Sequence, residues 1–275
     1  MPRVEVNGVN LYYVEEGEGF PLFLIHAWPT DHAIWMFQLP VFSDHFRTIA
    51  VDLRGFGRSD KPKGSITIED FSRDLAGLMN ELGIKKAHIA GISLGGAVAK
   101  QFALDYPERN QSSLQIGSVM TTERFMIEVD GRMRDVNELY LEELRYGYLN
   151  FWRKVWKANL NFFFSKEYAK TPQGSYLIRY LFENRYARLN ADPAAIISAV
   201  TSNLRWNVKH RISESTAPTA IIVGDSDPTL PYCQEHHRLC PQAEYSVMKN
   251  SGHFCIIDQA QKFNEKALSF LERNT

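Results

Sequence analysis

The sequence predicts an α/β protein: a mainly parallel central sheet with flanking helices, interrupted by an inserted helical cap. Three observations predict it. Short uninterrupted apolar runs (PLFLIHA, FRTIAVDL, KAHIAGIS, TAIIVGD) read as strands buried on both faces. Amphipathic helical patterns alternate with them, which implies right-handed βαβ crossovers. One long stretch, residues 121–206, holds no convincing buried strand; 16 of its 86 residues are Phe, Tyr or Trp, against 12% aromatic for the whole chain.

The elements follow in order. Arg3 to Val6 and Leu11 to Val14 alternate as strands, and Asn7-Gly8 between them suits a tight hairpin. The apolar strands beginning at Pro21, Phe46 and Lys86 come next. A helix precedes the last of these: Phe71, Leu75, Leu78, Met79 and Leu82 share one face, Thr67 is its N-cap and Gly83 its stop. A second helix, GGAVAKQFALDYP, runs to Pro107. Within 121–206, Leu141, Leu144, Tyr148, Trp152, Val155 and Trp156 form a single helical stripe. The α/β pattern resumes with TAIIVGD from Thr219, EYSVMK from Glu244, and a helix carrying Phe263, Ala267, Phe270 and Leu271. The expected organisation is a core of residues 1–120 and 207–275 with a cap at 121–206.

Composition narrows the function. The 275 residues carry 31 Lys and Arg against 32 Asp and Glu, so charge gives no reason to expect nucleic acid or an anionic membrane as partner. No stretch of about 18 apolar residues occurs to span a bilayer, and the start alternates like a strand rather than a signal peptide. The three cysteines, Cys233, Cys240 and Cys255, cannot all pair within one chain. A soluble, cytoplasmic protein is expected.

The sharpest chemical signal is Gly91-Ile92-Ser93-Leu94-Gly95, set where a buried strand gives way to a helix. Such a turn needs small neighbours and lifts a nucleophilic hydroxyl above the sheet, at a helix N-terminus that favours developing negative charge. A serine needs a base, and the base an orienting acid. Asp227 follows the strand TAIIVG and His253 follows EYSVMK, both at the strand ends where open α/β sheets bind ligands. Asp225, at the tip of its strand, is expected to bind backbone only, and Glu123, after the strand preceding the insertion, is a third candidate acid. The backbone N–H groups of Trp28 and Leu94 are the expected oxyanion donors, with the Trp28 ring as a pocket wall.

Weaker constellations read as structure. Glu235-His236-His237, near Cys233 and Cys240, fits no standard zinc spacing and reads as an exposed helix, so no metal is expected. Asp52 and Arg54 are expected to hold the loop after their strand, and Arg73, Asp74, Lys85 and Lys86 to be solvated surface charges.

Taken together, His26-Ala27-Trp28-Pro29, the run from Asp52 to Asp60 (DLRGFGRSD), the Ser93 elbow, Gly224-x-x-Asp227 and Gly252-His253 resemble the α/β-hydrolase superfamily, and within it the capped esterases, enol-lactonases and cofactor-free haloperoxidases. The resemblance implies metal-free, cofactor-free hydrolysis of a carboxylic ester or lactone through an acyl-enzyme. A small, fairly apolar substrate is expected, with Trp28, Trp152 and Trp156 lining its pocket; the alternative is that the cap aromatics only pack against the core. Carbon–carbon bond hydrolysis, perhydrolase-type haloperoxidase chemistry and non-turnover ligand reception are alternatives on the same residues. Ala27 stands where the family usually has Gly, which would alter the oxyanion turn. Ser93 argues against the haloalkane dehalogenases and epoxide hydrolases of this scaffold, which use Asp at the elbow.

Overall fold

A computed structural model describes residues 2–122, 160–186, 195, 198, 199, 202, 203 and 205–275. Strands β1 (Arg3–Val6) and β2 (Val9–Glu16) form the N-terminal hairpin. Asn7 and Gly8 between them have φ of 47° and 76°, the left-handed pair that a two-residue turn requires. Strand β2 runs two residues past the apolar alternation, because Glu15 and Glu16 continue the pairing against Ile49 and Thr48.

Strands β3 (Pro21–Ile25), β4 (Arg47–Val51) and β5 (Ala87–Ile92) are buried almost throughout, as runs without polar alternation demand. Helix α1 (Ile68–Glu81) starts on a capping box in which Thr67 and Asp70 satisfy each other's backbone N–H groups. It buries Phe71, Leu75, Leu78 and Met79, and the chain turns away at Gly83, φ 66°. Helix α2 (Leu94–Asp105) follows β5 directly. Beyond it come β6 (Asn110–Ile116), β7 (Thr219–Gly224), α3 (Leu230–Leu239), β8 (Glu244–Met248) and α4 (Ala260–Arg273).

The eight strands form one sheet in the order β1-β2-β4-β3-β5-β6-β7-β8, parallel from β4 to β8 and antiparallel at the β1 and β2 edge. The strand order reverses at β3, which has β4 on one side and β5 on the other. The carboxyl ends of β3 and β5 therefore border the crevice where such sheets bind ligands.

Central strand β6 reads NQSSLQI, too polar for a search for apolar runs. Some of its buried polar groups find partners inside: the Ser112 hydroxyl lies 2.7 Å from His88 Nδ1, and Gln115 Nε2 donates to Ser113 Oγ at 3.0 Å. The chain leaves β6 and returns to β7 side by side. Thr121 bridges Asn207, Thr122 N donates to the Trp206 carbonyl at 3.1 Å, and Val208 N to that of Met120 at 3.0 Å. Of the residues between, 160–186 are largely helical. Among the described residues, no helix is long and apolar enough to cross a membrane.

Two surface assignments need correction. Asp74 is 2% exposed; it takes both guanidinium arms of Arg54 and a hydrogen bond from Asn7 Nδ2 at 3.1 Å, joining the loop after β4 to α1. Arg73, Lys85 and Lys86 are exposed as expected. Helix α3 is not an exposed helix: it turns Tyr232, Cys233 and His236 into the core, and burial lowers the His236 pKa to about 2. All three cysteines are buried and unpaired.

Candidate active site

Ser93 ends β5 in a conformation that L-residues rarely adopt, φ 56° and ψ −113°. The neighbouring glycines show why the turn closes. A Cβ on Gly91 would lie 2.1 Å from the Gly95 carbonyl oxygen, and one on Gly95 would lie 2.2 Å from that of Ile25 and 2.8 Å from that of His26. The elbow is therefore in backbone contact with itself and with the turn after β3. Ser93 stands at the N-cap of α2, yet its hydroxyl makes no cap bond and the residue is partly exposed. Leu94 is the first helical residue, where an N–H has no intrahelical acceptor.

The candidate acid, Asp227, follows β7, and the candidate base, His253, follows β8. A carboxylate only accepts, so His253 Nδ1–H donates to Asp227 Oδ2 at 2.9 Å, leaving Nε2 of the ring for another partner. The other carboxylate oxygen of Asp227 accepts from Thr229 N at 2.8 Å. Both side chains are buried, at 3% exposure or less. Gly117, φ 49°, lies against the pair: its Cβ would meet Asp227 Oδ2 at 2.7 Å and His253 Nδ1 at 3.1 Å. Its neighbour Ile116 accepts the Ser93 N–H at 2.8 Å, so one short run of backbone touches the Ser93 turn, Asp227 and His253. Asp225 accepts from Ser251 N at 3.1 Å, a backbone contact as expected.

The turn after β3 is pinned through His26. Leu53 N donates to its Nε2 at 3.0 Å, so Nδ1 carries the proton and donates to the Ala27 carbonyl at 2.8 Å. Burial lowers the pKa of this ring, which keeps it a neutral strut. Thr30 N and Oγ1 also donate to the Ala27 carbonyl, at 2.9 and 2.8 Å. Ala27 is not among the residues with positive φ, so the turn accepts alanine without backbone strain. Trp28 is partly exposed and packs against the hydrophobic core.

Asp52 holds its loop as expected, accepting from His32 N at 2.7 Å and Arg58 N at 2.8 Å. Burial pushes its carboxyl up, but His32 and the other donors hold it below the usual carboxylate range. Among the described residues, Asp31, His32 and Asp52 are the one group whose ligand atoms all lie within 4.8 Å of one another. Their oxygens are already engaged: Asp31 pairs with Arg185 at 2.9 Å, and Asp52 with His32.

Two aromatic neighbours of His253 were not legible in sequence. The Phe162 ring centroid lies 5.0 Å from that of His253, and Phe163 stacks on Phe254 at 5.0 Å. Only the run FFF at 162–164 could have drawn attention to them. Trp152, Trp156 and Glu123, with the stripe from Leu141 to Trp156, lie outside the described residues.

The chain is similar to known proteins along nearly its whole length. It is 30% identical over 232 residues to a 2-hydroxy-6-oxononadienedioate/2-hydroxy-6-oxononatrienedioate hydrolase of Pseudomonas sp., covering 83% of this chain and 78% of the relative. A solved thermophilic esterase from Thermogutta terrifontis superposes with a TM-score of 0.84 at 25% identity, covering 100% of this chain and 99% of the other. Est816, described as an N-acyl homoserine lactone degrading enzyme, superposes with a TM-score of 0.81 at 28% identity, covering 98% and 100%. The sequence profile of the α/β hydrolase fold family matches residues 21–260, and the chain belongs to that family.

Proposed function

We propose that the protein is a serine hydrolase that cleaves a carboxylic ester or lactone of a small, fairly apolar substrate. The observation that carries this reading is the buried His253–Asp227 pair, 2.9 Å apart, joined through Gly117 and Ile116 to a serine held at φ 56°. In this reading Ser93 Oγ attacks the carbonyl carbon while His253 Nε2 takes the hydroxyl proton. The tetrahedral oxygen is received by the N–H groups of Trp28 and Leu94, whose turns are in backbone contact at Gly95. The imidazolium then gives its proton to the leaving alcohol oxygen, and the ester C–O bond breaks. Water, deprotonated by the same ring, releases the acid and regenerates Ser93. Asp227 orients the imidazole throughout.

The pocket wall supports an apolar substrate: Trp28, Leu94 and Phe162 are partly buried and packed against the hydrophobic core. Residues 121–206 act as the cap, entering and leaving at the Thr121–Asn207 bridge. Three buried, unpaired cysteines favour a reducing, cytoplasmic setting.

A second reading, hydrolysis of a carbon–carbon bond in a vinylogous diketone by the same residues, is favoured by the 30% identity to the oxononadienedioate hydrolase. One screen separates the two: p-nitrophenyl esters from acetate to decanoate, lactones and vinylogous diketones, with Ser93→Ala as control. The ester reading expects kcat/KM to rise several-fold per added methylene, worth roughly 1 kcal/mol each, until the pocket fills. Phe162→Ala should flatten that rise. If it does not while Trp152→Ala or Trp156→Ala does, the wall belongs to the tryptophans. Turnover of diketones alone would establish the second reading, and turnover of nothing would end both.

A further inference from the structure

The loop that carries His253 is held from two sides. On the β7 side, Ser226 N donates to the Ser251 carbonyl at 3.0 Å and Ser251 N to Asp225 Oδ1 at 3.1 Å. On the other side the partner is the segment 160–165. His253 N donates to the Phe162 carbonyl at 3.1 Å and Phe254 N to that of Phe163 at 2.8 Å. The approach is so close that a Cβ on Gly252 would lie 2.7 Å from Phe164 N.

One carboxylate clamps these two pieces together. Asp258 ends the short helix Cys255–Asp258 that follows the histidine. Its Oδ1 accepts from Ser251 Oγ at 2.5 Å, and its Oδ2 accepts from both Gly252 N at 2.9 Å and Ser165 N at 3.0 Å. Two of those donors belong to the histidine loop and the third to the segment whose carbonyls hold His253 and Phe254. Ser165 is 4% exposed and Ser251 fully buried, so water is a poor substitute for the carboxylate. Burial pushes the Asp258 carboxyl up, and the three donors pull against it; Asp225, Tyr168 and Cys255 are the titratable groups that interact with it.

We propose that Asp258 is a positioning residue for catalysis: by binding Ser251, Gly252 and Ser165 at once, it fixes the His253 backbone against residues 162–165 and so sets the imidazole relative to Ser93. The proposal rests on Ser93, Asp227 and His253 being the triad. A base displaced by about 1 Å costs on the order of 100-fold in rate.

The test compares Asp258→Ala with Asp258→Asn. An asparagine can keep its oxygen on Gly252 N and Ser165 N and turn its amide to Ser251 Oγ, a hydroxyl that can accept as well as donate. Alanine should lower kcat about 100-fold with KM changed by less than about threefold, and asparagine should stay within about threefold of wild type. Hydrogen exchange read by mass spectrometry gives a measure independent of turnover: the amides of 252–254 should lose protection in Asp258→Ala and regain it in Asp258→Asn. Unchanged protection in the alanine variant overturns the proposal, as does an asparagine variant as impaired as the alanine one. Should Asp258→Ala fail to fold, Ser165→Pro replaces it. Ser165 has φ −63°, which proline matches, and proline removes the one N–H that reaches Asp258 from this segment. Ser165→Ala keeps that N–H, so only the proline variant should expose the 252–254 amides; equal exposure, or none, overturns the proposal. If the wild type hydrolyses nothing while the amides respond as expected, the clamp stands and the hydrolase reading fails.

Discussion

The two turns that present Ser93 and His253 both need glycine, but they differ in the hydrogen bonds that tie them to the rest of the fold. At the serine elbow the constraint is steric: Cβ atoms on Gly91, Gly95 and Gly96 would fall 2.1, 2.2 and 2.5 Å from neighbouring atoms, so the turn exists only because those atoms are missing. At the histidine loop there are close contacts too, a Cβ on Gly224 falling 2.2 Å from the Gly252 carbonyl oxygen, but to these is added a set of hydrogen bonds from β7, from residues 162–163 and from Asp258. A steric lock fails all at once when one atom is added. A loop held by several bonds should weaken in steps, one partner at a time.

The largest expected effect lies on the histidine side, where the proposed chemistry rests on one bond. Asp227→Asn should lower kcat by about 10⁴, because an amide at that position no longer enforces the proton on Nδ1 of His253. Asp225→Asn can keep one oxygen on Ser251 N and should cost less than about tenfold. A nearly silent Asp227→Asn beside an inactive Glu123→Gln would mean the acid had been misassigned.

On the serine side a single methyl group tests the steric lock. Gly95→Ala puts a Cβ against the Ile25 and His26 carbonyls, so β3 or α2 must shift; a loss of about 3 kcal/mol in chemical denaturation is expected. A variant as stable and as active as wild type would show that the contact can relax.

Beneath both turns lies Lys100, on α2, 1% exposed, with its ammonium 3.5 Å from the Ser118 carbonyl beside Gly117. Burial lowers its pKa from 10.5 to about 8. Unfolding therefore takes up a proton between about pH 8 and 10.5, so this group adds stability as pH rises through that window and imposes its full cost below it. Lys100→Met should be more stable than wild type at pH 7, by on the order of 3 kcal/mol, with the gap closing towards pH 10. The buried thiol of Cys233, pushed up to about 11, also titrates in this range and interacts with Lys100. A gap that does not change with pH would assign the effect to packing instead.

The same contrast explains what the sequence discloses. The elbow is legible because a steric lock needs glycine at fixed spacing around one serine. Asp227 and His253 are legible because each follows a readable strand in the expected order. The clamp on His253 leaves no such signature: the Phe162 and Phe163 carbonyls belong to backbone, which any residue supplies, and Asp258 is one acid among many. Strand β6 carries no apolar run for a related reason: its buried serines, and the amide nitrogen of Gln115, find neighbours that only the folded chain brings together. Asp74 looked like a surface charge because Arg54, its partner, is 20 residues away in sequence.

The most direct test of the central claim is intact-mass analysis after exposure to a fluorophosphonate probe. If Ser93 is a nucleophile activated by His253, wild type should gain one adduct that peptide mapping places on Ser93, and His253→Ala should gain essentially none over the same time. Absence of an adduct from the wild type, or equal labelling of both proteins, would contradict the assignment of Ser93, Asp227 and His253 as one catalytic unit.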